Sequence, residues 1–286
     1  FKKQSSANNQ NFPEAKKLKS LRGMFSECHY LTKVTWGQSF STGDVTDMSY
    51  MFENCNALKS FDASKLNTSS VTTMTEMFSG TGFTTAGATK CDLNFGTKFD
   101  VSNVTSFNGM FRGHEYNSGD SYYSTKLQSI DMSAWKCPTT KDTNKSVTFE
   151  RMFYSCENLI SVNFGDNFTI PNATSFDSMF KYCTHISDIN FGKSFVPQSV
   201  TNFRYMFAYC HDIVGIDLTM FVTSSATNME YMFFDCNSLT SLDLRAFITS
   251  KVTTMSHMFA VAKDNVSSLS NLTLNFNTKS LTNMQA

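Results

Sequence analysis

The chain has 286 residues, 41% of them apolar, with Lys+Arg and Asp+Glu balanced at 24 each for a formal net charge of zero. That balance leaves no electrostatic footprint for nucleic acid or anionic lipid, and no apolar run approaches the roughly 20 residues of a membrane span, so direct membrane insertion is not expected. Charged residues are only 17%, so Ser, Thr and Asn carry the polarity, a profile suited to an extracellular surface.

The chain starts at Phe1 without an initiator Met, so a processed chain or a piece of a longer one is expected. Residues 1–11, FKKQSSANNQN, carry no apolar period and are expected to form a flexible N-terminal arm. Residues 12–286 read as one repeat domain. Met-Phe recurs at 24, 51, 77, 110, 152, 179, 206, 232 and 258, in steps of 26 or 27 apart from two of 33 and 42. A fixed period of that length marks a solenoid, whose units bury their apolar sides against their neighbours. In the first coil Leu18 and Leu21 take the places that Val45 and Met48 hold in the second.

Within the second unit Met48, Met51, Phe52 and Cys55 fall at i, i+3, i+4 and i+7, the stripe of a short amphipathic helix, and Thr46 is placed as its N-cap. Leu58, Phe61 and Ala63 follow, ending in the alternation of a short strand with one buried face. A strand and a helix per coil predict an α/β solenoid, a right-handed, leucine-rich-repeat-type stack of about nine to ten coils. Parallel strands would line its concave side and helices its convex side, with gentle curvature. The 27-residue steps carry a glycine after the strand, as in TWGQSF, NFGDNF and NFGKSF, where a bulge-like turn with φ > 0 is expected. Insertions are expected near 79–90, 114–125 and 137–146. The closing segment LTLNFNTKSLTNMQA opens another coil and stops at Ala286, so a continuing natural protein is expected.

These units, best matched by CNSLTSLDLRAFITSKVTTMSHMF at 236–259, resemble the BspA-like leucine-rich repeat surface proteins. The resemblance spans about residues 18–284. It implies a leucine-rich-repeat solenoid, a secreted or surface-anchored location and adhesive roles without catalysis, with no fixed ligand. The chain departs from that pattern in its insertions and in losing the cysteine at Thr81, His114 and Ala262.

Among chemistry-bearing residues, Cys28, Cys55, Cys156, Cys183, Cys210 and Cys236 hold one repeat position and read as a reduced packing ladder; Cys91 and Cys137 lie elsewhere. His185 and His211, each after one of these cysteines, could pair with them on zinc, but the cysteines should face inward, and two ordinary histidines are the favoured reading. A row on the outward strand position, Thr35, Asp62, Asn94, Asp131, Asn163, Asn190, Asp217 and Asp243, is a candidate ligand or calcium surface through its Asp and Asn members, beside the plainer reading of a solvated face. Tyr116, Tyr122 and Tyr123 in the 114–125 insertion are a second candidate, since exposed tyrosines among Ser, Gly and Asn suit recognition. The threonine row Thr46, Thr72, Thr105, Thr148, Thr174, Thr201, Thr227, Thr253 and Thr282 is assigned to helix capping rather than to a lattice-matching surface. No Gly-rich phosphate loop, H-E-x-x-H or nucleophile elbow occurs.

The expected function is a non-catalytic, extracellular or cell-surface protein that adheres to a protein or glycan partner at a host, cell or matrix surface. No cofactor and no metal are expected. The alternative is a structural component that stacks end to end into a filament or layer.

Overall fold

The structure, a computed structural model, describes residues 18–82, 92–96, 99–113, 126–138, 142 and 144–285. Short strands recur along it: β1 (Ser60–Asp62), β2 (Asp92–Asn94), β3 (Ser129–Asp131), β4 (Val147–Thr148), β5 (Ser161–Asn163), β6 (Ala173–Ser175), β7 (Asp188–Asn190), β8 (Ser241–Leu244) and β9 (Asn271–Leu274). Every pairing is parallel: β1 with β2, β3 with β5 and β5 with β7, β4 with β6, and β8 with β9. A further column of parallel bridges joins Ser20, Asp47, Thr73, Ser106 and Thr148, and resumes through Ser175, Asn202, Asn228, Thr254 and Asn283. The chain is a parallel-strand solenoid.

There is no helix among the described residues, which corrects the α/β reading. The segment Met48–Cys55 is a run of turns. Met48, Tyr50, Phe52 and Asn54 donate their N–H groups to the carbonyls of Thr73, Thr75, Met77 and Ser79 on the next coil, at 3.1, 2.9, 2.8 and 2.8 Å. The alternate N–H groups, of Met51, Glu53 and Cys55, close local turns on the carbonyls of Met48, Tyr50 and Phe52 at 3.4, 3.2 and 3.2 Å. Tyr50 and Asn54, at the third positions of two such turns, have φ of 58° and 56°, as a type II turn requires. The same i, i+3, i+4, i+7 spacing arises either way. Successive turns of this kind leave Met48, Met51, Phe52 and Cys55 at 0% exposure, while Tyr50 and Glu53 are half-buried.

Coil pitch decides between the two. The phenylalanines of the Met-Phe pairs form one stack from Phe25 through Phe52, Phe78, Phe111, Phe153, Phe180, Phe207 and Phe233 to Phe259. Their ring centres lie 5.1 to 5.9 Å apart and their planes within 3° to 18° of parallel. Packed helices need about 8–10 Å, whereas parallel backbones hydrogen-bond about 4.8 Å apart. A stack this tight excludes a helix from each coil. The curvature argument, which needed wide helices opposite narrow strands, falls with it.

The threonine row is likewise no set of caps. Thr72, Thr105, Thr201, Thr227, Thr253 and Thr282 each donate the backbone N–H to the carbonyl of the preceding row member, at 2.8 to 2.9 Å. Their hydroxyls donate to the same oxygen at 3.0 to 3.2 Å. Thr148 stands one place off the row, in the bridge column opposite Ser106 and Ser175, because the ladder shifts register between Val147 and Thr148. Another set, unsuspected from the sequence, staples the opposite side of the coils. The buried hydroxyls of Thr42, Thr68, Thr223 and Thr249 donate to the carbonyls of Asn67, Asp100, Ile248 and Asn277 and accept the backbone N–H of the same residues, at 2.6 to 3.1 Å. The strand-end glycines Gly96, Gly165 and Gly192 have φ of 62°, 71° and 67°, as the glycine-bearing steps predict, while Gly37 does not share that conformation.

Candidate functional site

Two columns of the turn face share a left-handed backbone. The residue before every Met-Phe is one: Gly23, Tyr50, Glu76, Gly109, Arg151, Ser178, Tyr205, Tyr231 and His257, with φ of 50° to 61°. Four residues further on, Glu27, Asn54, Gly80, Ser155, Tyr182, Tyr209 and Asp235 repeat it at 54° to 64°. Only glycine adopts this region freely; other residues are raised by about 1–2 kcal/mol each, and bulky ones are outliers. The ladder to the next coil over-determines the backbone and holds it there.

From residue 182 onward these strained positions carry aromatic rings at Tyr182, Tyr205, Tyr209, Tyr231 and His257, with Asp235 the exception. Tyr182 and Tyr209 stack at 4.5 Å, Tyr205 and Tyr231 at 4.6 Å, and Tyr231 and His257 at 4.7 Å. Tyr154 meets Tyr182 edge-on at 5.6 Å, and Phe234 meets Tyr209 and Tyr231 at 5.3 and 5.2 Å. Between the columns, Lys181 Nζ lies 4.1 Å from the ring centre of Tyr205 and 4.9 Å from that of Tyr182. The Arg204 guanidinium sits 4.6 Å over Tyr205 and is held 3.1 Å from Glu230. Arg112 and Arg151 flank Tyr154. Tyr182, Tyr205, Tyr209 and Tyr231 are half-buried. Burial pushes the Tyr209 phenol up to about 12 and raises that of Tyr205, so both keep their protons as hydrogen-bond donors at neutral pH. This band of rings and cations is the candidate site. Sequence reasoning missed it because a helix reading scatters those tyrosines over a solvated convex surface. The legible signal was tyrosine recurring at two fixed repeat positions in FKYC, FRYMFAYC and MEYMFF.

Of the residues singled out from the sequence, Tyr116, Tyr122 and Tyr123 lie outside the described residues, as do the 1–11 arm, Cys91, His114 and parts of the other two insertions. The Asp/Asn row lies on the strands at every member except Asp217, and its oxygens are largely engaged locally. Asp62, Asn94, Asp131, Asn190, Asp217 and Asp243 each accept the N–H two residues on, at 2.9 to 3.0 Å. Asn94 donates to Asp62, Asn163 to Asp131 and Asn190 to Asn163 across coils, at 3.1, 3.1 and 2.8 Å. The hydrogen bonds from Ser64, Thr219 and Arg245 hold the carboxyls of Asp62, Asp217 and Asp243 below the usual range, Asp243 at about 2. This is the chemistry of a turn-forming ladder.

Cys55, Cys156, Cys183, Cys210 and Cys236 are buried free thiols, while Cys28 is exposed. Each buried member donates S–H to the carbonyl of the preceding coil's Met-Phe phenylalanine, Phe25, Phe111, Phe153, Phe180 or Phe207, at 3.0 to 3.2 Å. Where threonine replaces cysteine, the Thr81 hydroxyl makes the same bond to Phe52 at 3.0 Å. His185 and His211 pair with Asp212 and Asp235 at 3.0 and 3.4 Å, and among the described residues no group of three or more His, Cys, Asp or Glu is placed to hold a metal.

Burial pushes the thiols of Cys55, Cys137 and Cys236 up to about 12 from an ordinary 9.0, and those of Cys183 and Cys210 well above it. Since the folded values are the raised ones, the stability these groups contribute is intact below pH 9 and is lost as pH climbs from 9 toward 12. Urea midpoints are therefore expected to hold steady to about pH 8 and to fall at higher pH. Iodoacetamide should label Cys28 in the native protein, and Cys55, Cys137, Cys156, Cys183, Cys210 and Cys236 only on unfolding. Rapid native labelling of the buried set, read by mass spectrometry, would refute the ladder.

A family model described as Mycoplasma protein of unknown function, DUF285, matches the chain over residues 1–133, 86–208 and 174–286. No curated protein and no solved structure matches it.

Proposed function

We propose that this chain, which belongs to the DUF285 family, is a non-catalytic binding solenoid of the cell surface or extracellular space that engages a macromolecular partner. The observation that carries this reading is the tyrosine and cation band, in which strained, half-buried rings are gathered on one face. Backbone strain at bulky residues concentrates where a surface is retained for use. The resemblance to BspA-like surface proteins supports the same reading and the location. Purified chain should attach saturably to cultured epithelial cells or to matrix-coated plates; absence of saturable attachment to every surface tried would sink the proposal.

A further inference from the structure

We propose that the partner of the tyrosine band is a protein surface, engaged edge-on through phenol hydroxyls and flanking cations, and not a sugar chain laid across ring faces. The proposal rests on the binding reading above and names the class of partner and the face.

Ring-face availability separates the two classes. A sugar stacks on an aromatic platform only where one face of the ring is open to it. Here the faces are taken: Tyr182 by Tyr209, and Tyr231 by Tyr205 on one side and His257 on the other, in near-parallel pairs of 23°, 17° and 3°. Lys181 and Arg204 also lie over the Tyr205 ring, at 4.1 and 4.6 Å from its centre. Ring edges remain for a partner, as do the hydroxyls of Tyr205 and Tyr231, while those of Tyr182 and Tyr209 bond each other. Edges are apolar and weakly positive, and hydroxyls donate. They fit carbonyl and carboxylate acceptors set around an apolar centre, which is the make-up of a protein surface.

Charge points the same way. A sulfated or uronic polysaccharide needs unpaired cations in a row. In the band Arg204 is tied to Glu230, Lys181 lies against rings, and Glu150 and Asp177 alternate with Arg151 and Lys181 along the coils. Acidic side chains thus stand among the cations of the band. Tyr and Arg, held rigid and partly buried, are the residues on which protein interfaces concentrate their affinity.

Strain supplies an independent reason to assign the rings to recognition. Glycine fills the same backbone positions at Gly23, Gly80 and Gly109, so the fold does not need tyrosine there. Replacing Tyr205 and Tyr231 by glycine relieves the left-handed strain while removing the rings, and the two effects separate stability from binding.

The test uses a phage-displayed random dodecapeptide library alongside soluble cello- and chito-oligosaccharides and a sulfated glycosaminoglycan. Selection on the whole chain should converge, and the selected peptide, made synthetically, should bind at least tenfold more weakly to Tyr205→Gly/Tyr231→Gly. Tyr205→Phe/Tyr231→Phe, which keeps the rings and the stacking, should also weaken it severalfold, because only the hydroxyls are lost. The thermal midpoint of the glycine variant should stay within a few degrees of the parent; if that variant does not fold, the phenylalanine variant carries the test alone. Failure to converge, or peptide binding untouched by the variants, overturns the proposal. Tyrosine-dependent binding of an oligosaccharide also overturns it, while leaving the broader binding reading standing.

Discussion

Phe180→Ala is expected to destabilise the protein by about 4 kcal/mol, the range for emptying a fully buried phenylalanine site. Phe180 has no solvent exposure, and its ring lies between those of Phe153 at 5.3 Å and Phe207 at 5.7 Å, both within 9° of parallel. Alanine removes both partners' stacking, each worth about 0.5–1.5 kcal/mol beyond burial. It also leaves a void that the coils cannot close, because the backbone ladders on either side fix their pitch. Phe153 N–H bonds to Met179 and Phe180 N–H to Met206, both at 2.9 Å. Phe180→Leu keeps most of the volume and should cost about 1–2 kcal/mol. Phe259→Ala, at the end of the stack with one ring partner and partial exposure, should cost less than half of the Phe180 value. A larger fall in urea midpoint for Phe180→Ala than for Phe259→Ala checks the stack. Equal losses at the two positions would show that the rings act singly.

Gly192→Ala is the second large effect, expected at about 3 kcal/mol. Gly192 has φ of +67°, and a Cβ there would lie 2.1 Å from the Gly165 carbonyl oxygen and 2.4 Å from its carbon. The obstruction is the equivalent bend of the neighbouring coil, itself at φ +71°, so no side chain can swing aside. Either the coils part locally or the strand-end bend opens, and the adjoining Gly192 N–H to Asn190 bond of 2.9 Å goes with it. Gly37→Ala is the internal control. It occupies the matching place in TWGQSF, its φ lies outside the left-handed region, and nothing stands within 4 Å of its added Cβ. It should change stability by no more than about 0.5 kcal/mol, with a small gain through the unfolded chain. A neutral Gly192→Ala would mean that the glycine steps are not close approaches between coils.

Most of this architecture was legible residue by residue. Met51, Phe52 and Cys55 recur at a fixed period and are buried in the second coil and in most later ones, though Met24 and Cys28 of the first coil are exposed, because apolar side chains that repeat with the coil enter the interior shared with a neighbour on each side. The strand positions Phe61, Ile130, Val162 and Leu242 are buried for the same reason, with polar neighbours turned outward. Gly165 and Gly192 marked bends with positive φ because no other residue reaches that region without strain.

What the sequence by itself determined about this protein, then, was its periodicity, its interior face and its bends. Whether Met48–Cys55 coils as a helix or folds as turns was decided only by the tertiary structure. The intervals i, i+3, i+4 and i+7 satisfy both, and the choice depends on how far away the next coil sits. At a ring-to-ring spacing of 5.1 to 5.9 Å the N–H groups of alternate residues reach across to the next coil instead of back along the chain. That one distance, a property of two coils and of neither alone, turned Thr72 from a cap into a rung. It also set Tyr205 and Tyr231 at left-handed positions and stacked them into the face where binding is proposed.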